Sequence, residues 1–342
     1  MRLLVLGGTE FVGRAFLEEA LRRGDEVTVF HRGRHPAPSG VTALHGDRTE
    51  PDGLAAFTEG AGAGLTWDAV VDTWTGAPAE VGLAARLLAG RAERFAYVSS
   101  RSVHRYPAAP GLDENGPLVE GRADDTDSGG YERAKRGGEL AALAAFGDRT
   151  LLPRPGLVIG PGENVGRLPW WLGRAARGGP MLAPGPADLP LQYIDARDLA
   201  LWTLDALGRG LGGPYNVVSP RGHTTMSELL EAVVRVTGGV AEPRWTDPKA
   251  LVDAGVEPWM ELPVWTPPGE LHDTLHCGDV SRALAEGLRC RPVAETVAET
   301  VADTWEWLCA LGGQAPQRPD RPPLGMAAER EAELLARLPA AH

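Results

Sequence analysis

Tyr131 and Lys135 stand one helical turn apart in the run GGYERAKRGGELAALAAF, a spacing that puts a phenol and an ammonium on one face of a helix. A free tyrosine, with a pKa of about 10, is a poor acid or base at neutral pH, and a nearby cation favours its phenolate. Such a pair can give or take a hydroxyl proton while a hydride moves on or off the same carbon. The spacing alone fits equally a half-buried tyrosine beside a solvated lysine on an amphipathic helix. The elements around the pair decide between the two.

The first of these begins at Arg2. Arg2 to Leu6 (RLLVL) is an apolar run long enough for a buried strand. It opens into Gly7, Gly8, Thr9, Glu10, Phe11, Val12 and Gly13, then into RAFLEEALRRG with apolar residues at helical spacing. A strand, a glycine turn and a helix in that order bring a helix N-terminus up to a pyrophosphate, whose charge is met by unpaired N–H groups. Gly7, Gly8, Thr9, Phe11, Val12 and Gly13 are therefore candidate cofactor contacts. Glu10 stands where a middle glycine is expected, so its carboxylate must swing away from phosphates, and Arg14 is a candidate basic neighbour.

A second strand, Glu26 to Phe30, ends in His31-Arg32-Gly33-Arg34. An acid there would accept hydrogen bonds from the ribose 2′-hydroxyl of NAD, whereas an arginine accommodates the 2′-phosphate of NADP. No acid is present. In a chain of 46 acidic and 34 basic side chains, positive charge at His31 and Arg32 points to NADP(H), with NAD(H) the other candidate and a solvated loop the plainer reading.

Strands and helices go on alternating. Val41 to His45 leads to Gly46-Asp47, Trp67 to Asp72 is a fourth strand, Glu80 to Arg91 a helix, and Phe95 to Val98 a fifth strand followed by Ser99-Ser100-Arg101-Ser102. This alternation predicts parallel strands with helical crossovers, whose ligands bind beyond the strands' carboxyl ends. Asp47, Asp72, Thr73 and Ser100 fall there. Two serines at a strand end fit a capped turn as well as a substrate contact.

Composition narrows the class. A chain of 342 residues with 43% hydrophobic and 23% charged side chains is an ordinary globular protein, and a net charge of -12 argues against a general nucleic-acid binder. No apolar run is long enough to span a membrane and no charged-then-apolar leader precedes the first strand, so a cytoplasmic protein is expected. Cys277, Cys290 and Cys309 are odd in number and share no metal-ligand spacing; they read as reduced packing cysteines, and no metal is expected.

In the order of its motifs the chain resembles the extended short-chain dehydrogenase/reductases, the NAD-dependent epimerase/dehydratase family. The resemblance rests on GGTEFVG, YVSSRSV, YERAK, RPGLVIGPGE (154–163), QYIDARDLA (192–200), PYNVVSP (214–220) and the stretch 279–307. It implies an α/β fold: a Rossmann-type doubly wound parallel sheet from 1–155 plus about 191–219, with a smaller substrate lobe from about 156–190 and 220–310. It also implies that Ser100 polarises a substrate oxygen, that Tyr131 moves the proton, and that Lys135 lowers the tyrosine's pKa and holds the nicotinamide ribose. The glycine motif is most similar to a subgroup containing chloroplast stem-loop RNA-binding proteins and bacterial reductases.

Departures narrow the activity further. Arg101 and Ser102 occupy the places where sugar 4,6-dehydratases of the family carry an acid–base Asp-Glu pair, Leu191 the place of a diphosphate-gripping arginine, and Asp195 the place of a usual histidine. Arg167 or Arg174 could supply that missing charge from another direction. The expected activity is an NADP(H)-preferring oxidoreductase acting on a secondary alcohol or ketone of a polar small molecule. The alternatives are a sugar or nucleoside epimerase with retained cofactor, and a non-catalytic NADP-binding sensor or RNA-binding protein. Ten tryptophans, several in proline-rich loops such as 257–268, could line a ligand site or pack the smaller lobe. In 314–342 a proline-rich linker precedes a short charged helix, Ala327 to Leu338, that could dock on its own domain or on a partner subunit in a homodimer.

Overall fold

The computed structural model describes residues 1–290, 293–318 and 321–339, with side chains from 299 onward in the second span. Pro319 and Asp320 of the proline-rich linker, and Arg291 and Pro292 within the stretch 279–307, lie outside the described residues. In chain order the elements of the first half are β1 (Arg2–Leu6), α1 (Phe11–Arg22), β2 (Glu26–His31), β3 (Thr42–His45), α2 (Ala55–Thr58), β4 (Trp67–Asp72), α3 (Pro78–Leu88), β5 (Ala92–Tyr97), α4 (Tyr131–Phe146) and β6 (Thr150–Pro155). There follow β7 (Leu157–Ile159), α5 (Arg167–Ala176), β8 (Gly179–Pro184), β9 (Pro190–Leu191), β10 (Tyr193–Asp195), α6 (Ala196–Gly208), β11 (Gly213–Val217), β12 (Thr224–Thr225), α7 (Met226–Val236) and β13 (Ala241–Thr246). The chain closes with α8 (Pro248–Asp253), α9 (Glu270–His276), α10 (Ser281–Ala285), α11 (Val293–Ala310) and α12 (Ala328–Arg337).

Seven strands pair in parallel in the order β11-β6-β5-β4-β1-β2-β3. Because side chains alternate across a strand, an unbroken apolar run serves both faces of a covered sheet. In β1, Leu3 and Val5 pack with Phe16 and Leu17 of α1 and Leu199 and Leu204 of α6. Leu4 and Leu6 point the other way, onto Val81 and Leu88 of α3 and Phe146 of α4. The result is a Rossmann-type doubly wound fold. Sheet growth reverses between β1 and β4, so a crevice opens past their carboxyl ends.

A second core lies beyond the sheet. There Trp171 and Leu172 of α5, Leu229 and Leu230 of α7, Val301 and Leu308 of α11 and Leu334 of α12 pack together with Trp265. Parallel pairs β8–β13 and β7–β10 frame it. Helix α12 docks on its own chain: its buried Glu331 pairs with the Arg174 guanidinium and accepts from the Leu182 N–H at 3.0 Å.

Several element boundaries differ from the sequence expectation. The helix expected from Glu80 starts at Pro78, which suits a first helical position, and ends at Leu88. Arg91 leaves it to reach the carbonyls of Leu65 and Phe57, and β5 accordingly begins at Ala92 rather than Phe95.

Under the sheet's far edge, Glu139 of α4 is fully buried. It accepts from the Ser99 hydroxyl at 2.7 Å, from Arg154 Nε and Nη2 at 2.7 and 2.9 Å, and from Arg136 at 2.8 Å. Burial opposes its charge, but these partners hold its carboxyl below the usual range, so the ion pair persists above that range and is lost as pH falls through the lowered value. Glu139→Ala leaves Arg154 buried and uncompensated. It should cost about 3–5 kcal/mol in urea denaturation at pH 7; a loss under about 1 kcal/mol would mean that Arg154 finds other partners.

Candidate active site

Strand β1 ends in a turn built around two close approaches. Gly7 sits at φ +82°, where a side chain would be strained, and its carbonyl accepts from the Thr73 hydroxyl at 2.7 Å, tying the ends of β1 and β4 together. Gly13, in the first turn of α1, lies so close beneath that a Cβ on it would stand 2.2 Å from the Gly7 oxygen. Only glycine fits, and the N-terminus of α1 is thereby brought up against the turn. Gly8 packs inward, where a Cβ would meet Leu17, and takes no part in lining the crevice.

Glu10 has an ordinary extended backbone at φ -132°, so the turn needs no middle glycine there. Its carboxylate lies 3.2 Å from His35 Nε2, to one side of the turn. The strain sits instead at Phe11, a non-glycine at φ 31°. Arg14 does not attend the turn; it pairs with Glu18 at 2.7 Å along the exposed face of α1.

The crevice is a cavity of about 920 Å³. Gly7, Thr9, Phe11, Val12, Gly13, His31, Arg32, Asp47, Thr73, Ser100, Tyr131 and Lys135, twelve residues expected from sequence, all line it. Asp72 does not. It is fully buried, holding Arg48 at 2.8 Å and the Trp74 N–H at 3.0 Å, so it acts through Arg48 and Trp74, which do line the cavity, with the guanidinium over the indole ring. Arg48 was not singled out from the sequence, although it directly follows Asp47 at a strand end.

At one end of the cavity, His31 accepts from the Gly33 N–H at 3.2 Å and packs on His45; burial and then the second imidazole lower its pKa and keep it neutral. Arg32 and Arg34 extend beyond it into solvent. Burial works against the Asp47 charge, but Thr49 hydrogen bonds together with Arg32 and Arg34 hold its carboxyl below the usual range. The α1 N-terminus and this cationic strand end fit a dinucleotide's diphosphate and adenosine ribose.

At the other end stands the pair Tyr131 and Lys135. Gly130, at φ 108°, turns the chain into α4, so that Tyr131 opens the helix at the cavity wall, 38% exposed. Lys135, one turn on, is 2% exposed and donates to the carbonyls of Trp74 and Val98, each at 2.7 Å, across the ends of β4 and β5. Two of its three protons are thus engaged, leaving one N–H for a ligand. Ser100 accepts from the Ser102 N–H at 3.1 Å, which leaves its own proton to donate. The neighbouring Ser99 is committed to Glu139 instead.

Positions where the sequence departs from dehydratases and epimerases have structural roles. Arg101 is buried and donates to the carbonyls of Thr274 and Leu275. Leu191 lies in the second core, paired with Thr224. Asp195 caps α6 and pairs with Arg197 at 2.7 Å. Of the tryptophans, Trp74 and Trp259 line the cavity, whereas Trp171 and Trp265 are fully buried and satisfied by carbonyls. Sequence reasoning missed the tail, for Pro316, Gln317, Arg318 and Arg321 also line the cavity. Nothing local in a proline-rich stretch signals where it lies.

Burial pulls the Lys135 pKa down to about 7, with Asp72 supporting the charge and Arg318 opposing it. The folded value lies below the unfolded one of about 10.4, so between the two the unfolded chain holds more protons and stability rises with pH. Lys135→Met removes the titration. The stability difference between wild type and variant should therefore climb from about pH 7 to about pH 10.4 in denaturation series; a flat difference would mean that Lys135 stays protonated throughout.

Comparison with known proteins places the chain. The model of the NAD dependent epimerase/dehydratase family matches residues 3–218. The 2-alkyl-3-oxoalkanoate reductase of Stenotrophomonas maltophilia is 29% identical over 264 residues, 70% of this chain and 76% of that protein. Among solved structures, WbmG of Bordetella bronchiseptica, in complex with NAD and UDP, superposes with a TM-score of 0.65 at 19% identity, covering 94% of this chain and 99% of that one. The NAD complex of Thermus thermophilus UDP-glucose 4-epimerase gives 0.60 at 22%, covering 90% and 99%. At such identities the two structures speak for the fold. With its motifs in order and the matched region spanning most of the sheet, this chain belongs to the NAD dependent epimerase/dehydratase family.

Proposed function

We propose that this protein is an NADP(H)-preferring reductase that interconverts a ketone and a secondary alcohol on a small molecule. The observation that carries this reading is that Ser100, Tyr131 and Lys135 share one cavity with the glycine turn and the α1 N-terminus. A binding protein needs the turn alone; a proton donor and a hydroxyl with a free proton serve a reaction. The 29% identical relative, a reductase of 3-oxoalkanoates, supports the ketone class.

When bound, the nicotinamide supplies or accepts the hydride. Ser100 donates a hydrogen bond from its hydroxyl to the substrate oxygen and orients it, keeping its own proton. Tyr131 gives its phenolic proton to that oxygen in reduction and takes it back in oxidation. Lys135, held by two carbonyls, turns its remaining N–H toward the nicotinamide ribose. Gly7, Gly13 and the first turn of α1 receive the diphosphate, and Arg32 with Arg34 the 2′-phosphate.

Tyr131→Phe keeps the ring and removes the proton. Turnover of a ketone substrate with NADPH should fall by about a hundredfold or more, with thermal stability and cofactor binding unchanged; an undiminished rate would assign the tyrosine to packing.

Arg32 carries the cofactor preference. One charge-assisted contact is worth roughly 1.5–3 kcal/mol, so fluorescence titration should show NADPH binding at least about tenfold tighter than NADH, and Arg32→Glu should erase the difference. Equal affinities in the wild type would refute the NADP(H) assignment.

A further inference from the structure

Beyond the nicotinamide end, the cavity wall comes from an unexpected part of the chain. The Arg318 N–H donates to the Asn164 carbonyl at 3.2 Å, the Gly325 N–H to the Met260 carbonyl at 2.7 Å, and Gly325 lies flat against the Trp170 ring. Arg318 and Gly325 are thus held by the main chain at Asn164 and Met260, and the Arg321 guanidinium rests 5.2 Å over the Tyr131 ring. Opposite it, Arg167 opens α5 with its guanidinium 5.4 Å over Trp259.

Among the described residues no carboxylate hydrogen-bonds to either guanidinium. Glu163, four residues before Arg167, is fully buried and accepts from the main-chain N–H groups of Arg167 and Leu168, at 2.7 and 3.2 Å. The Nε of Arg167 is buried with no hydrogen-bond partner. Among the described residues none hydrogen-bonds to the Arg321 guanidinium. The carboxylates lining the cavity, Glu10 and Asp47, lie at the far end beside His35, Arg32 and Arg34. Burial presses against the Arg167 charge, Glu163 supports it, and Arg321 presses against it further. Among the described residues no carboxylate besides Glu10 and Asp47 lines the cavity, and Trp259, Leu275, Val165 and Leu157 give it an apolar wall beside the polar Asn164, Gln317 and His276 and the cation Arg318.

We propose that Arg167 and the tail residue Arg321 together seat a carboxylate of the substrate, which is an alkyl-bearing hydroxy or oxo acid, so that the C-terminal tail completes the substrate site. This rests on the reductase reading and names its substrate class. Planar guanidinium forks match a carboxylate's two oxygens. Laid over Tyr131, Arg321 sets the anion next to the proton donor, and the apolar walls take the alkyl chain.

The test reads binding, so it stands even if turnover fails. Calorimetric titration of the full-length protein saturated with NADP+ compares 3-hydroxyoctanoate, its primary amide and octyl phosphate. The acid should bind at least tenfold tighter than the amide and tighter than the phosphate. Arg321→Ala should abolish the acid's advantage while leaving the amide's affinity unchanged, and Arg321→Lys should restore part of it. Arg167→Ala should do the same where it folds; the tail variant decides the matter where it does not. Equal binding of acid and amide in the wild type, an advantage that survives Arg321→Ala, or tighter binding of octyl phosphate would overturn the proposal. If these binding results hold but no 2-alkyl-3-oxoalkanoate is reduced, the reaction reading fails and the seat remains.

Discussion

The site hangs on a buried ammonium. Lys135 bridges the carbonyls of Trp74 and Val98, which leave the ends of adjacent strands β4 and β5, while its backbone belongs to α4. A charged group with almost no access to water is tolerable only when polar atoms replace its hydration, and two carbonyls with the Tyr97 ring 4.8 Å away do so. Because both carbonyls are fixed by the sheet, the lysine fixes the first turn of α4, and with it the place of Tyr131. Displacing any of these parts would strand the charge.

A second constraint is close packing at the turn after β1. With a Cβ on Gly13 placed 2.2 Å from the Gly7 oxygen, α1 can approach only with glycine at that position. The Thr73 hydroxyl then ties that carbonyl to β4. Loss of the middle glycine is tolerated because Glu10 adopts an extended backbone and the unusual φ passes to Phe11. The glycine-turn end and the Tyr131 end of the cavity are held by different physical means, backbone contact at one and a desolvated cation at the other. Both depend on the ends of β4 and its neighbours.

Buried charges elsewhere are handled in the same way. Asp72 is matched by Arg48, Glu139 by Arg154 and Arg136, and Glu331 by Arg174. All but the Arg136–Glu139 contact within α4 join different elements. Against this background Arg101 and Arg167 stand apart, each buried at Nε without a partner and each lining the cavity.

The sequence by itself determined the sheet and named most of the expected residues that the cavity brings together. Apolar strands at a period matching burial on both faces, the Gly7 to Gly13 turn and the Tyr131–Lys135 spacing are local patterns whose geometry follows from a few adjacent residues. Helix ends were legible to within a few residues, because caps such as Pro78 compete with periodicity for the boundary. Partners across the chain were not legible. That Asp72 is held by Arg48 instead of lining the cavity, that Arg101 reaches the carbonyls of Thr274 and Leu275, and that Trp171 is core while Trp259 is wall are matters of which side chain meets which space. The tail is the extreme case. A proline-rich stretch has no periodic apolar face to say where it lies; docking of α12 through Glu331 and Leu334 brings Arg321 onto Tyr131, and only packing between residues far apart in sequence could decide that.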